Sequence, residues 1–265
     1  MASATQDTHV TVGTIKTETD LVGDIGCRMF MWSPRRELTH HLVRSTAPFP
    51  WFKRQSVRWL HSNPYRSYNA DRSTIFIHIP KNAGSSVKSS LFGVDDENHK
   101  ELIQYEAFDA EKCRRFFTFC IVRNPWDRML SAFTFLQSGG LHATDEAWAN
   151  RYLDDLNSFK AFVHRLKDEA FSNAVLRQTH FAPQYVWVTD SRNSIGVDYV
   201  VRFEHLHEDL REMEALTGWD CALDTHENKS SSPEYEDVYD TEMRKRVARF
   251  YQRDIELFDY TFGES

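Results

Sequence analysis

The sequence predicts an α/β domain organised around a parallel sheet, and three observations predict it. Segments 74–79 and 116–122 are short, apolar and rich in β-branched and aromatic residues, as buried strands are. Each runs into a Pro-containing turn, and a helical period follows. Strand-like and helix-like segments then alternate through the rest of the chain, the pattern of a sheet whose strands are joined by helical crossovers.

The elements follow in order. Residues 1–22 are polar and Thr-rich without period, and read as a tail. From 28 to 72 nine Arg and Lys face only Glu37 and Asp71, a local balance of +7 in a chain of net charge −7. Aromatics interleave there (Trp32, Trp51, Trp59 and Tyr65 among them), and the stretch reads as an irregular basic extension packing its rings on the domain. Domain boundaries follow: 1–72 for tail and extension, 73–265 for the α/β domain. Residues 84–91 can form a helix with Val87 and Leu91 on one face. After the second strand, Asn124-Pro125 is a helix start, and Trp126, Met129, Leu130 and Phe133 form an i, i+3, i+4, i+7 stripe. Residues 146–170 are expected to be helical, 185–188 and 197–203 to be strands, and 204–216 a helix stopped by Gly218. A polar loop over 224–240 and a closing helix over 241–258 complete the chain. The sheet should hold four or five strands with helices on both faces.

Composition bounds the function. The chain has 265 residues, enough for one domain with an appendage, and 41% of them are hydrophobic. Net negative charge argues against a general nucleic-acid binder. No segment approaches the ~20 apolar residues of a membrane span, and the first twenty residues have no apolar signal core. The expectation is a cytoplasmic protein, although a chain trimmed of a membrane anchor would look the same. Four cysteines, at 27, 113, 120 and 221, show no metal-binding spacing, so no metal is expected.

Two passages carry chemistry. In Ile77-His-Ile-Pro-Lys-Asn-Ala-Gly-Ser-Ser86 a strand passes through a Lys, a Gly and two hydroxyls into a helix. The amides at the start of that helix, with Lys81, make a pocket for an anion. The order differs from the GxxxxGK[ST] Walker A loop of P-loop kinases and NTPases, because the Lys precedes the Gly. Carboxylates to hold magnesium are not evident beside it. In Val122-Arg-Asn-Pro-Trp-Asp-Arg-Met-Leu-Ser131, Arg123 sits at a strand's C-terminal end, where open α/β sheets bind ligands. Ser131 follows eight residues later, and a guanidinium with a hydroxyl suits a second phosphate.

HIPKNAGSS resembles the 5′-phosphosulfate loop, and RNPWDRMLSAF the 3′-phosphate motif, of sulfotransferases that use 3′-phosphoadenosine 5′-phosphosulfate (PAPS). The group containing the Golgi carbohydrate sulfotransferases and their bacterial and algal relatives is the most similar. His180-Phe-Ala-Pro-Gln184, the segment 198–206, Asn228-Lys-Ser230 and the ending 251–260 extend the likeness, which covers roughly residues 73–262. The resemblance implies a P-loop-like fold and transfer of a sulfuryl group from PAPS to a hydroxyl, less favourably an amine. The acceptor would be a small molecule or a carbohydrate, the product PAP, and no metal, nucleic acid or membrane span would be involved. It implies that Lys81 neutralises the leaving oxygen. Asn82, Ala83, Gly84, Ser85 and Ser86 would cradle the 5′-phosphosulfate, Arg123 and Ser131 would hold the 3′-phosphate, and Lys229 and Ser230 would belong to a lid.

A hydroxyl acceptor needs a base, and some relatives place a His between the two phosphate motifs. His99 is the one His there, with His142 and His180 as rivals and His78 a structural residue. The His205-x-His207 pair reads as a solvated face. Two other readings stay open: a nucleotide- or glycan-binding module of the same fold without catalysis, and a P-loop small-molecule kinase.

Overall fold

The computed structural model describes residues 50–95, 99–221 and 234–264. The expectations for residues 1–49, and those for Lys229 and Ser230, lie outside the described residues. Three strands form the sheet: β1 (Thr74–Ile77), β2 (Phe117–Val122) and β3 (Tyr199–Arg202). All pairs are parallel, in the order β1-β2-β3, with Phe119 opposite both Phe76 and Tyr199. Strands covered on both faces need apolar side chains at every position, which is why these segments show no alternation. One face sends Ile75, Ile77, Cys120, Val122 and Val200 into the larger core, where Met129, Phe133, Phe162 and Phe181 meet them. The other sends Phe76, Phe119, Ile121, Tyr199 and Val201 against Val87, Leu91, Leu210 and Met213.

Helices α1 (Pro50–Leu60) and α2 (Ser67–Asp71) precede β1. Helices α3 (Gly84–Phe92), α4 (Leu102–Phe108) and α5 (Ala110–Arg115) connect β1 to β2. Between β2 and β3 come α6 (Pro125–Gln137), α7 (Ala143–Tyr152), α8 (Phe159–Arg165), α9 (Glu169–Arg177) and α10 (Tyr185–Val188). After β3 come α11 (Leu206–Thr217), α12 (Tyr235–Val238), α13 (Thr241–Phe250) and α14 (Gln252–Phe258). No helix among the described residues is long and apolar enough to cross a membrane.

Several expectations need correction. The sheet has three strands among the described residues, not four or five. Residues 185–188 are the short helix α10, because the buried Asp254 carboxylate accepts from the backbone N–H groups of Gln184 and Tyr185 and so caps a helical turn. The helix expected over 146–170 falls on α7, α8 and the start of α9; Ser158 opens the second of these by accepting from the Ala161 amide. The closing helix divides at Tyr251, whose φ of −110° and ψ of 27° leave the helical region. Residues 235–238 of the expected loop form one helical turn.

The basic extension is also not irregular throughout. Over 50–71 it supplies α1 and α2, and Val57 packs with Ile103 and Ala107 of α4. Tyr65 donates its hydroxyl to the Asp109 carbonyl, 3.1 Å away, and Asn69 donates to the Thr74 carbonyl at the head of β1.

Candidate functional site

The first loop leaves β1 and returns as α3 within six residues, and two of those residues are left-handed without being glycine. Lys81 has φ of 71° and Ala83 of 57°. Such a conformation costs a side-chain-bearing residue ~1–2 kcal/mol and persists only where surroundings enforce it. Ala83 is the N-cap position of α3 and offers no side-chain cap to the first amides of that helix. Gly84 opens α3 because nothing larger fits: a Cβ there would lie 2.0 Å from the His78 imidazole. That ring is buried and stacked on Phe76. Burial, then the neighbouring His99 and Lys88, push its pKa well below the usual value, so His78 is a neutral wall behind the loop. One turn into α3, burial first and then Arg66 bring Lys88 down to about 8.

The second loop follows β2. Asn124 caps α6 by accepting from the Trp126 amide, and Pro125 occupies the first turn. Arg123 is held along its whole length. Its Nε donates to Asp127 Oδ2 at 2.7 Å, and Nη1 donates to the Lys81 carbonyl at 3.1 Å and to Ser131 Oγ at 3.3 Å. The guanidinium lies 4.1 Å from the centre of the Phe203 ring. The structure therefore brings Lys81, Arg123 and Ser131 to one place at the C-terminal ends of β1 and β2.

Two further groups join the loops from below. Gln184 Oε1 accepts from Asn82 Nδ2 at 2.7 Å and from the Arg123 amide at 2.9 Å, while its Nε2 donates to the Arg123 carbonyl at 2.8 Å. Arg128 donates through Nε to the Pro80 carbonyl at 3.1 Å. Its Nη1 and Nη2 are buried with no hydrogen-bond partner among the described residues, and burial lowers its pKa. Asn82 also donates to the Ile121 carbonyl, so its side chain is a staple turned into the protein and not toward an anion. Ser85 is exposed and Ser86 half-buried on the open side of α3.

The histidines separate by place. His99 stands beside His78, with Nδ1 2.9 Å from the His78 carbonyl oxygen and its ring also against Trp187. His142 precedes α7 at the surface. His180 packs its ring on Phe135, and the Lys81 ammonium also lies against that ring, 4.0 Å from its centre. Beyond α7, an open concavity of about 490 Å³ is lined by Arg151, Arg165 and Arg177, one from each of α7, α8 and α9. The sequence gives no sign of this basic surface, because those arginines are far apart in the chain.

Sequence reasoning missed Gln184, Asp254 and Arg128 as site-building residues. Asp254 did leave a signal, an acid on the otherwise apolar stripe of Val247, Tyr251 and Phe258. No group of three or more His, Cys, Asp or Glu side chains able to hold a metal occurs among the described residues. No curated protein and no solved structure matches the chain. A family model described as "Sulfotransferase family" matches residues 67–261, the span that holds both loops and every residue described at the site. With most of its length so matched, the chain belongs to the sulfotransferase family.

Proposed function

We propose that the protein transfers a sulfuryl group from PAPS to an acceptor hydroxyl. The observation that carries this reading is the meeting of the two loops: Arg123 Nη1 reaches both the Lys81 carbonyl and the Ser131 hydroxyl. A donor with separate 5′-phosphosulfate and 3′-phosphate groups fits two adjoining anion sites of this make. At one, the first amides of α3 and the Lys81 ammonium would meet the phosphosulfate. At the other, Arg123 and Ser131 present a planar fork and a hydroxyl to the 3′-phosphate. PAPS supplies the sulfuryl group and a phosphate leaving group, and the chain supplies position and charge. Lys81 offsets charge growing on the leaving oxygen, and Phe135 beneath its ammonium fixes where that charge sits. On this reading the acceptor is a small molecule or a carbohydrate.

Titration calorimetry with PAP in the absence of magnesium, against ATP, tests the reading. Preference for PAP, lost in Arg123→Ala, is the expected result. No PAP binding, or a preference for magnesium-ATP, would overturn it and favour the kinase alternative.

A further inference from the structure

We propose that His180, oriented by Asp145, takes the proton from the acceptor hydroxyl; this rests on the sulfuryl-transfer reading above. The two residues are 35 positions apart and meet because the turn after α6 folds down over the start of α7. That turn closes on Gly140, at φ of 70°, where a Cβ would lie 2.2 Å from the Asp145 Cβ. With no side chain in the way, the Leu141 and His142 amides donate to Asp145 Oδ2 at 3.3 and 3.4 Å. The other oxygen, Oδ1, lies 3.4 Å from His180 Nε2. The His180 hydrogen bond, with the charge attraction and the two amides against the cost of burial, holds the Asp145 carboxyl at about 2. It is therefore an anion at any pH at which the enzyme would be assayed.

A carboxylate at Nε2 selects the tautomer with its proton there and leaves the lone pair on Nδ1. Nδ1 is buried and has no hydrogen-bond partner among the described residues. An unpaired buried acceptor calls for an explanation, and an arriving hydroxyl supplies the missing donor. The ring keeps 14% of its side-chain surface open, and catalytic hydrogen bonds commonly tighten only once substrate is bound. His180 also stands on the Lys81 side, with one aromatic ring, Phe135, touching both the imidazole and the ammonium. His99, by contrast, has Nδ1 turned to a backbone carbonyl.

The step balances. An oxygen lone pair of the acceptor forms the new O–S bond as the bond from sulfur to the bridging oxygen breaks. That electron pair leaves on the 5′-phosphate of PAP, opposite Lys81. The hydroxyl proton passes to His180 Nδ1, and the resulting imidazolium faces Asp145 before the proton is released to water.

The test measures PAP release from PAPS, with water or a 4-methylumbelliferyl glycoside as acceptor, and separately PAP affinity and the His180 tautomer by ¹⁵N NMR. His180→Gln should lower kcat about 10²–10⁴-fold with PAP affinity unchanged. Asp145→Asn should lower kcat less, alter the pH profile and lose the Nε2–H tautomer, with partial rescue by Asp145→Glu. A kcat within threefold of wild type in His180→Gln, while Lys81→Ala is inactive, would overturn the assignment and leave sulfuryl transfer standing. An Nδ1–H tautomer in the wild-type protein would overturn it too. Failure of PAP to bind at all would instead remove the reading on which it rests.

Discussion

Replacing Gln184 by Ala tests whether one buried amide sets the relation of the two loops. The side chain is fully buried and makes three hydrogen bonds, two of them to the backbone of Arg123. Truncation strands the Arg123 N–H and C=O, at about 1–3 kcal/mol each, whereas Asn82 keeps its bond to Ile121. Adding the cavity left by the side chain, the expected loss is about 3–6 kcal/mol, a large share of the ~5–15 kcal/mol that holds a typical domain folded. Gln184→Glu separates hydrogen bonding from volume. It keeps an oxygen for the two donors but turns a second oxygen on the Arg123 carbonyl, so its loss should be of similar size with no cavity formed. Urea unfolding at pH 7, followed by tryptophan fluorescence, gives the stabilities. Calorimetry with PAP under conditions where each variant is folded gives the second readout, and affinity should fall at least tenfold as Arg123 loses its anchor. A loss under 1 kcal/mol in Gln184→Ala, with PAP affinity unchanged, would refute the idea that this residue pins the loops.

The remaining predictions concern single contacts. Gly84→Ala drives a methyl into the His78 ring and should cost about 1–3 kcal/mol and weaken PAP binding; His78→Ala in the same chain should restore part of both in the same titrations. Arg123→Lys keeps the charge but cannot serve Asp127, the Lys81 carbonyl and Ser131 together, so PAP affinity by calorimetry should fall about 10–100-fold. Burial raises the Asp254 carboxyl to about 6, above its unfolded value near 4. The folded state therefore binds this proton more tightly, and the stability it gives is complete below about pH 4 and lost as pH rises through 6. That loss is about 3 kcal/mol, and the difference between wild-type and Asp254→Asn urea curves from pH 4 to 7 should show it as a slope.

The parts of the fold and site that were legible in the sequence are local ones. Each of the two loops is continuous in the chain, so Lys81, Gly84 and the hydroxyls of the first, and Arg123 of the second, could be read in order. Arg123 and Ser131 meet because Ser131 lies eight positions on, in the second turn of α6, a spacing a sequence displays. The helix at 185–188 was not legible, because all four of its side chains are buried and leave no period. What makes it helical is a carboxylate some seventy residues later. The pairing of His180 with Asp145, the basic concavity and the amide of Gln184 are hidden for the same reason, since each joins elements that only the fold brings together.

The polar groups beneath the loops bear on how a loop with two left-handed non-glycine residues orients its peptide planes. Peptide planes in the described chain are all trans, so the N–H of each points opposite to its own C=O. Arg128 takes the Pro80 carbonyl and Arg123 takes the Lys81 carbonyl. Anchoring those two oxygens to cations on the protein side turns the N–H groups of Lys81 and Asn82 away from the cations. Asp254 supports the same arrangement at one remove, because it fixes the backbone of Gln184, which in turn holds Arg123 and Asn82. A hydrophobic filling of this space would avoid the cost of a buried guanidinium with two unpaired nitrogens, several kcal/mol even after relaxation. It would also leave the carbonyls undirected, and a phosphate facing them would meet negative dipoles. On the sulfuryl-transfer reading, that cost is the condition for a backbone arranged to receive an anion.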